Sequence, residues 1–321
     1  MDKRHNTIRH AVIGVITMFA LDPTIAQTLV STAGTSAIIT GGSVSWSIGE
    51  PIIGTGTVPG GLITQGFQQP NVVKVRLRLG ALLEGPYASS TGLMNDALRS
   101  NGLIPLTEPY TALGYSFVGG GGESTTVPVL AVTGSDAIVD WVLIELRDPG
   151  DPTLIVASRS ALLQRDGDIV ELDGVSPVGI SASAGDYHIA VRHRNHLAVM
   201  SASPYALDEV PNVIDLSLAG TPAFGTNARK SITGTFPAQA LWAGDVTFNG
   251  QVKYAGGGND RDPILVRIGG LVPTATVNGY FPEDVNLNGQ VKYAGSANDR
   301  DPILVNIGGT VPTATRQGQV P

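Results

Sequence analysis

The sequence predicts a mainly β protein, with an antiparallel β-sandwich body and a small duplicated loop–helix module at the C-terminal end. Glycine supplies 41 of the 321 residues, about 13% where ~7% is usual, and it follows no collagen-like period. Short segments rich in Val, Ile and Thr alternate apolar with polar residues between glycine turns, which is typical of strands. A 32-residue segment occurs twice near the end of the chain. This composition excludes a helical bundle.

Residues 1–26 have the pattern of a secretory signal peptide. Lys3, Arg4 and Arg9 precede an apolar run at residues 11–21, and Ala26 supplies a small residue for cleavage. The run is shorter than the ~20 residues that a membrane-spanning helix needs, and no later run is longer. We therefore expect a secreted protein, extracellular or on the outer cell surface, without a membrane span.

The charge and the cysteine content narrow the partners and the means of stabilisation. The chain has 20 Lys and Arg against 27 Asp and Glu, a formal net charge of −7, so a basic surface for nucleic acid is not expected. It has no cysteine. An exported chain without disulfides needs another way to stabilise a small module, and bound metal is one.

Residues 27–70 are predicted to form an N-terminal β segment of three or four short strands. The segment is almost uncharged and alternates apolar with small polar residues, as in residues 43–48. Glu50 is its only acid and lies between Gly49 and Pro51. We interpret it as a turn residue rather than a catalytic one.

Residues 71–237 are predicted to form the sandwich body. In residues 73–79 apolar positions alternate with Lys74, Arg76 and Arg78, which predicts a half-buried strand with a basic outer face. The other predicted elements are strands at 138–146, 154–163 and 187–194, a hairpin turn at 165–168, a short helix at 94–100 and a flexible loop at 119–122. Strands at this spacing favour two antiparallel sheets packed face to face.

Residues 238–321 are predicted to form the duplicated module. Residues 245–276 and 284–315 are identical at 26 of 32 positions, with an offset of 39 residues. Each unit begins like an EF-hand calcium loop, in which oxygens at positions 1, 3 and 5 face the ion, glycine at 6 allows a sharp turn and position 7 gives a carbonyl. The predicted Ca²⁺ ligands are Asp245, Thr247, Asn249 and Gln251 in the first loop and Asp284, Asn286, Asn288 and Gln290 in the second.

The carboxylate that closes each loop is displaced along the chain. Position 12, where an EF-hand has an acid, is Gly256 in one unit and Gly295 in the other. Asp260 and Asp299 follow four residues later, so we expect an enlarged loop that these two residues close. The lysines and arginines nearby predict modest affinity, on the order of 10⁻⁴ to 10⁻³ M.

A short helix is predicted after each loop, at residues 264–268 and 303–307, ended by a Gly-Gly pair. Asp262 and Asp301 precede a proline and are interpreted as helix N-caps, with metal ligation as the alternative. The alternative for the whole pattern is a set of Asn, Asp and Gly turns that need no metal. Duplication of the entire pattern, rather than of its turn residues alone, favours the calcium loop–helix interpretation.

The duplicated units, with their shared Asn-Asp-Arg-Asp-Pro-Ile-Leu segment, resemble dockerin repeats with a longer loop. Other motifs are Gly-Glu-Pro at 49–51, Gly-Phe-Gln-Gln-Pro at 66–70, Glu-Gly-Pro-Tyr at 84–87 and Arg-His-Arg-Asn-His at 192–196. With these motifs, the whole mature chain resembles a group of secreted Bacteroidetes proteins often labelled haemagglutinin-like, which carry such repeats at the C-terminus. The resemblance implies a surface or adhesive role.

The sequence predicts no active site. His193 and His196 could meet at a strand end, but without cysteine or an obvious third ligand we interpret residues 192–196 as a polar strand edge. His188 is separated from His193 by an odd number of residues, which places the two on opposite faces of a strand. The same argument separates Asp140 from Glu145 and disfavours a carboxylate pair for glycoside cleavage by those two residues.

The leading hypothesis is a secreted or cell-surface calcium-binding structural or adhesion protein, not an enzyme. Its partner would be a cell-surface or matrix protein or a glycan, and calcium would stabilise the C-terminal repeats. Two alternatives are retained: a dockerin-like module that docks a cohesin-like receptor, and a carbohydrate-active hydrolase whose carboxylates come from distant strands.

Overall fold

The computed structural model describes residues 33–39, 42–48, 54–58, 61–65 and 74–321. The predicted signal peptide, Glu50 and the motif at 66–70 lie outside these residues. In the N-terminal segment, β1 (Ala33–Ile39) pairs antiparallel with β2 (Gly42–Ile48), and β3 (Gly54–Val58) pairs with β4 (Gly61–Gln65). Four described strands agree with the prediction for this segment.

The body contains eleven strands and two short helices. They are β5 (Lys74–Gly80), β6 (Tyr87–Ala88), β7 (Leu93–Met94), α1 (Ala97–Ser100), α2 (Val127–Leu130), β8 (Ile138–Arg147), β9 (Ile155–Gln164), β10 (Asp168–Val170), β11 (Val178–Ser181), β12 (Gly185–His193), β13 (His196–Met200), β14 (Tyr205–Leu207) and β15 (Asn212–Asp215). Nine of these strands share one hydrogen-bonded sheet in the order β11-β5-β10-β9-β8-β12-β13, with β14 beside β12 and β15 beside β5. Every pair is antiparallel except β15 with β5. The mainly β antiparallel class is confirmed, and the two-layer sandwich stays a prediction.

The burial pattern explains why the body strands form where they do. Along β5, Lys74, Arg76 and Arg78 are exposed and the residues between them are buried, as the alternation predicts. Every residue of β8 is buried, and β9 and β12 pair with its two edges. The predicted hairpin turn joins β9 to β10, where Gly167 adopts a φ of 99° that favours glycine.

One helix begins later than expected. The pattern predicts a helix from residue 94, whereas Leu93–Met94 form β7 and pair with β6, so α1 begins at Ala97. The predicted loop at 119–122 has neither helix nor strand, in agreement with its glycine content.

The C-terminal residues add β16 (Lys230–Ile232), β17 (Ala238–Ala240), β18 (Gln251–Lys253), α3 (Arg261–Arg267), β19 (Thr276–Asn278), β20 (Gln290–Lys292), α4 (Arg300–Asn306) and β21 (Thr315–Gln317). The elements from β18 onward surround a second apolar core, separate from that of the body, whereas β16 and β17 pack against the core of the body. By their contacts, residues 74–321 belong to one compact unit, to which β1 and β2 do not belong. The module therefore has its own core but shares a compact unit with the body. No helix in the described part of the chain is long and apolar enough to cross a membrane.

Candidate metal centres

The two repeat units exchange strands. Each unit runs from a loop through a short strand and a helix to a second strand. The strand β18 of the first loop pairs with β21 from the end of the second unit, and β20 of the second loop pairs with β19 from the end of the first. Equivalent apolar residues of both units fill the shared core, namely Val246, Val252, Ile264 and Ile268 with Val285, Val291, Ile303 and Ile307. Because each loop is paired with a strand of the other unit, the two candidate sites belong to one folded module.

The first loop folds around the carboxylate of Asp245. The loop turns through left-handed conformations at Phe248 (φ 55°) and Gly250 (φ 78°), at positions 4 and 6. These turns aim backbone N–H groups inward, and the two oxygens of Asp245 accept hydrogen bonds from Asn249 (2.9 Å) and Gly250 (2.9 Å). The predicted position-1 ligand is thus held by the loop's own backbone.

The second loop repeats this geometry. Leu287 (φ 56°) and Gly289 (φ 84°) supply the left-handed turns. The carboxylate of Asp284 accepts N–H groups from Asn288 at 3.1 Å and from Gly289 at 2.8 Å. The side-chain oxygen of Asn288 then accepts the N–H of Gln290 at 2.8 Å. Two loops with the same backbone path follow from the duplicated sequence.

Asp260 reaches back to the first loop. Its Oδ1 accepts the N–H of Thr247 at 3.0 Å and the Thr247 hydroxyl at 2.9 Å, and its Oδ2 accepts the N–H of Lys253 at 2.8 Å. Asp299 does the same in the second unit, with Val285 and Lys292 as donors, each at 2.8 Å. The side-chain amide of Asn286 also donates to Asp299 Oδ1 at 3.0 Å. The structure therefore brings each displaced aspartate to the loop that it was predicted to close.

The extra residues of each enlarged loop are held by their own hydrogen bonds. In the first unit, Lys253 Nζ donates to the carbonyl of Gly257 at 2.7 Å, and the side chain of Asn259 donates to the carbonyl of Gly256 at 2.7 Å. The second unit has the equivalent bonds. Because the insertion is satisfied internally, the aspartate that follows it is free to point into the loop.

The prediction that Asp262 and Asp301 cap the helices is wrong. α3 begins at Arg261 and α4 at Arg300, so each of these aspartates lies inside the first turn. The backbone N–H of Asp301 is bound by Asn298 Oδ1 at 2.8 Å, and Asn259 does the same for Asp262. The side chain of Asp301 is 56% exposed and pairs with Arg300. In each unit the acid directly before the proline does not cap the helix, and the side chain of the asparagine three residues earlier accepts its backbone N–H instead.

Four aspartate side chains are buried without a counter-ion. Asp245 is 3% exposed, and Asp260, Asp284 and Asp299 are fully buried. Within the described chain, no nitrogen of lysine, arginine or histidine lies within 4.0 Å of these carboxylates. Ionised carboxylates in such positions are normally paired or bound to metal.

Burial therefore raises the pKa values of these acids. Burial, followed by the charge of Asp260, raises the pKa of Asp245 to about 7. The pKa of Asp260 is itself raised by burial. Burial raises the pKa of Asp284 to about 6, with Arg194 acting in the opposite direction, and burial plus the charge of Asp284 raises the pKa of Asp299 to about 8. Each loop thus holds two carboxylates that repel each other when both are ionised. A bound cation would lower both pKa values.

The chemistry of the donors suits calcium. In the described residues, no three side chains of His, Cys, Asp or Glu converge on one point that would hold a metal. Each loop has two carboxylates, and its other donors are the amide, hydroxyl and carbonyl oxygens of the loop residues. Such hard oxygens suit calcium, whereas structural zinc sites use cysteine and histidine.

A buried polar network lies where the body meets the second loop. Asp140 accepts hydrogen bonds from His193 Nε2 (3.0 Å), Arg194 Nε (3.0 Å) and Tyr280 Oη (2.5 Å). Arg194 and the Asp140 hydrogen bonds hold the carboxyl pKa at about 2 against the opposing effect of burial. His193 and His196 meet, with their Nδ1 atoms 3.1 Å apart.

The interpretation of residues 192–196 as a strand edge is wrong. His193 is buried on β12, which lies between β8 and β13, and His196 is buried at the start of β13, where it forms a β-bridge with Ala243. Their ring nitrogens are engaged by neighbouring groups of the chain, so they do not fit a zinc site. Asp140 and Glu145 enter different networks, since Glu145 is bound by Arg147 and Arg192. Sequence reasoning missed Asp140 because its partners are distant along the chain.

An open acidic cleft of about 400 Å³ lies on the body. Its charged lining residues are Arg78, Asp136, Asp166, Asp168 and Asp215. Asp166 is an exposed residue of the cleft, and the partial desolvation of its carboxyl, with a smaller effect of the charges of Asp168 and Asp136, raises its pKa.

Comparisons with protein-family models, curated proteins and solved structures find no match to this chain. The function must be inferred from its own residues.

Proposed function

We propose that this protein is a secreted or cell-surface structural or adhesion protein whose C-terminal module binds two calcium ions, one in each loop. The observation that carries the proposal is the set of four buried aspartates, two in each loop, without a counter-ion within salt-bridge distance. The loops that hold them have the residue pattern of calcium sites.

The energetic argument concerns what these acids do without metal. A carboxylate whose pKa is raised by burial destabilises the fold when it ionises. A divalent cation stabilises the ionised form and removes the repulsion between the two carboxylates of a loop. Binding to the folded chain alone adds about 2.7 kcal/mol of stability at a hundredfold excess over Kd. In a chain without cysteine, calcium would do for this module what disulfides do elsewhere.

Limited proteolysis of the full chain tests the proposal. We expect cleavage within residues 238–321 to accelerate in chelator and to slow again on addition of calcium, with cleavage in β8 and β9 much less affected. Magnesium is the matched control, because it demands a stricter octahedral geometry and dehydrates reluctantly. Cleavage of the module at equal rates in chelator and in calcium would contradict the proposal.

The partner in the leading proposal is a cell-surface or matrix protein or a glycan. Exposed apolar side chains at equivalent positions of both units favour docking by the module, as a dockerin-like domain would dock a cohesin-like receptor. Val266 and Val305 are exposed on α3 and α4, and Leu271 is 90% exposed beside the Gly-Gly turn. Capture of a partner with and without calcium, using Val266→Asp as a control, separates module docking from binding by the body.

The acidic cleft favours a different class, a carbohydrate-active hydrolase. A carboxyl with a raised pKa near a second carboxyl is the arrangement of an acid and its partner in glycoside cleavage. Asp166 would be the acid and Asp168 or Asp136 its partner. Release of reducing sugar from a glycan panel, abolished by Asp166→Asn, would establish this alternative, and no release from any glycan would remove it.

A further inference from the structure

Asn195 is the residue through which the body contacts the first position of both loops. Its backbone carbonyl accepts the N–H groups of Gly244 (2.9 Å) and Asp245 (3.0 Å), at the start of the first loop. Its side-chain amide donates to the carbonyl of Asp284 (2.7 Å) and to that of Pro282 (2.9 Å), at the start of the second. Asn195 is fully buried. One residue therefore holds both loops at the same position.

Two histidines on the Oδ1 side of the Asn195 amide determine its orientation. The backbone N–H of Gly85 donates to His196 Nε2 at 3.2 Å, so Nε2 is the acceptor nitrogen of a neutral ring. The proton of His196 is then on Nδ1, 2.8 Å from Asn195 Oδ1 and 3.1 Å from His193 Nδ1. His193 in turn donates from Nε2 to Asp140. This chain of bonds leaves Asn195 only one amide orientation, with Nδ2 toward the second loop.

The body segment that follows Asn195 is bonded to the module and packs in its core. The next apolar residue, Leu197, packs in the module's core, and its backbone N–H donates to the carbonyl of Trp242 at 2.8 Å. His196 forms a β-bridge with Ala243, just before the first loop. A change in either loop thus acts on a short, rigid segment that also bonds the other loop.

We propose that Asn195 is a positioning residue shared by the two calcium loops, and that it couples the occupancy of one loop to the affinity of the other. The inference rests on the proposed function, because it needs both loops to bind calcium. An ion in one loop restrains its position-1 residue, the restraint passes through Asn195, and the second ion then binds a loop already ordered. Coupling between sites is reciprocal and typically amounts to 5-fold to 150-fold in affinity.

A two-by-two calorimetric titration of the full chain with calcium tests the coupling. Asp260→Asn removes a carboxylate from the first loop and leaves the second loop intact. We expect it to weaken calcium binding at the second loop at least fivefold when residue 195 is asparagine. In the Asn195→Ala background the same change should alter second-loop affinity less than twofold, because the bonds to Asp284 and Pro282 are absent.

Asn306→Ala is the matched control. Asn306 is also fully buried and also donates its amide to a backbone carbonyl between body and module, that of Ala243 at 2.8 Å, but it contacts neither position 1. We expect the effect of Asp260→Asn on the second loop to persist in this variant. Thermal unfolding without metal identifies any loss of stability that the two asparagine variants share.

A second measurement leaves residue 195 unchanged. In the Asp260→Asn chain, calcium in the second loop should slow hydrogen exchange of the Gly244 and Asp245 amides, which bond the Asn195 carbonyl. Unchanged exchange there, or equal coupling with asparagine and alanine at 195, overturns the inference and assigns any coupling to the exchanged strands. Absence of calcium binding by the unaltered chain would instead refute the proposed function.

Discussion

Asp299→Asn should reverse the sign of its effect on stability when calcium is added. The folded pKa of Asp299, about 8, lies above the unfolded value of 3.8, so the metal-free fold loses stability as the pH rises through this window. The difference between the two values corresponds to roughly 6 kcal/mol as an upper estimate. Asparagine cannot ionise, so the variant does not lose this free energy of unfolding at pH 8.

The opposing cost of the substitution is smaller. Asp299 Oδ2 accepts the N–H of Lys292, and an amide nitrogen in its place leaves that donor without a partner at about 1–3 kcal/mol. In chelator at pH 8, we therefore expect the Asp299→Asn chain to be more stable than the unaltered chain by a few kcal/mol. With calcium at a hundredfold excess over Kd, the unaltered chain gains about 2.7 kcal/mol per occupied site, and the variant keeps only the contribution of the first loop.

Hydrogen exchange of peptides from residues 284–299, in chelator and in calcium at pH 8, measures both signs. Asp301→Asn is the matched control, since its side chain is exposed and bonded to its neighbour Arg300. This control should behave like the unaltered chain in both conditions. If Asp299→Asn is destabilising in chelator and calcium protects both variants equally, Asp299 is not a buried ionisable ligand.

Three further predictions follow from the same structure. Calcium affinity should rise from pH 5 to pH 8, because protons must leave Asp245 (pKa about 7) and Asp284 (pKa about 6), and calorimetry in two buffers should detect their release; a flat affinity would contradict this. Asn298→Ala should cost about 0.5–2 kcal/mol in urea unfolding by removing the cap of α4, while Asp301→Ala costs about 0–1 kcal/mol; the reverse order would restore Asp301 as the cap. Asp140→Asn should cost about 3–5 kcal/mol, because it leaves the buried Arg194 without its charge partner, and a loss under 1 kcal/mol would show that the network is dispensable.

Local features of the fold were predictable because they depend on residues close together in sequence. The alternation of Lys74, Arg76 and Arg78 is sufficient to predict β5. The glycine at position 6 of each loop predicts the sharp turn, and the pairing of position 1 with the N–H groups four and five residues later follows from that turn. The approach of Asp299 to its loop was also predicted, because Asp299 is the first acid that follows position 12.

The starts of α3 and α4 depend on more than the local preference of the residues before the proline. The Asp301-Pro302 pair predicts a helix with Asp301 as the cap and Pro302 as the first residue. In the structure α4 begins two residues earlier, at Arg300. Asn298 then occupies the capping geometry, because the enlarged loop holds its side chain against the first turn. Asn and Asp have similar capping preferences, so propensity does not distinguish Asn298 from Asp301.

By itself, the sequence determined the β class of the chain, the duplication and the identity of the aspartates that enter each loop. Only the tertiary structure decided that the two loops exchange strands and that the body meets them at Asn195. The physical reason is separation along the chain: Asn195 and Asp284 are 89 residues apart, and Asp140 and His193 are 53 apart. Such contacts depend on the order of strands in the sheet, which hydrophobic periodicity does not encode, since periodicity specifies only which face of a strand is buried.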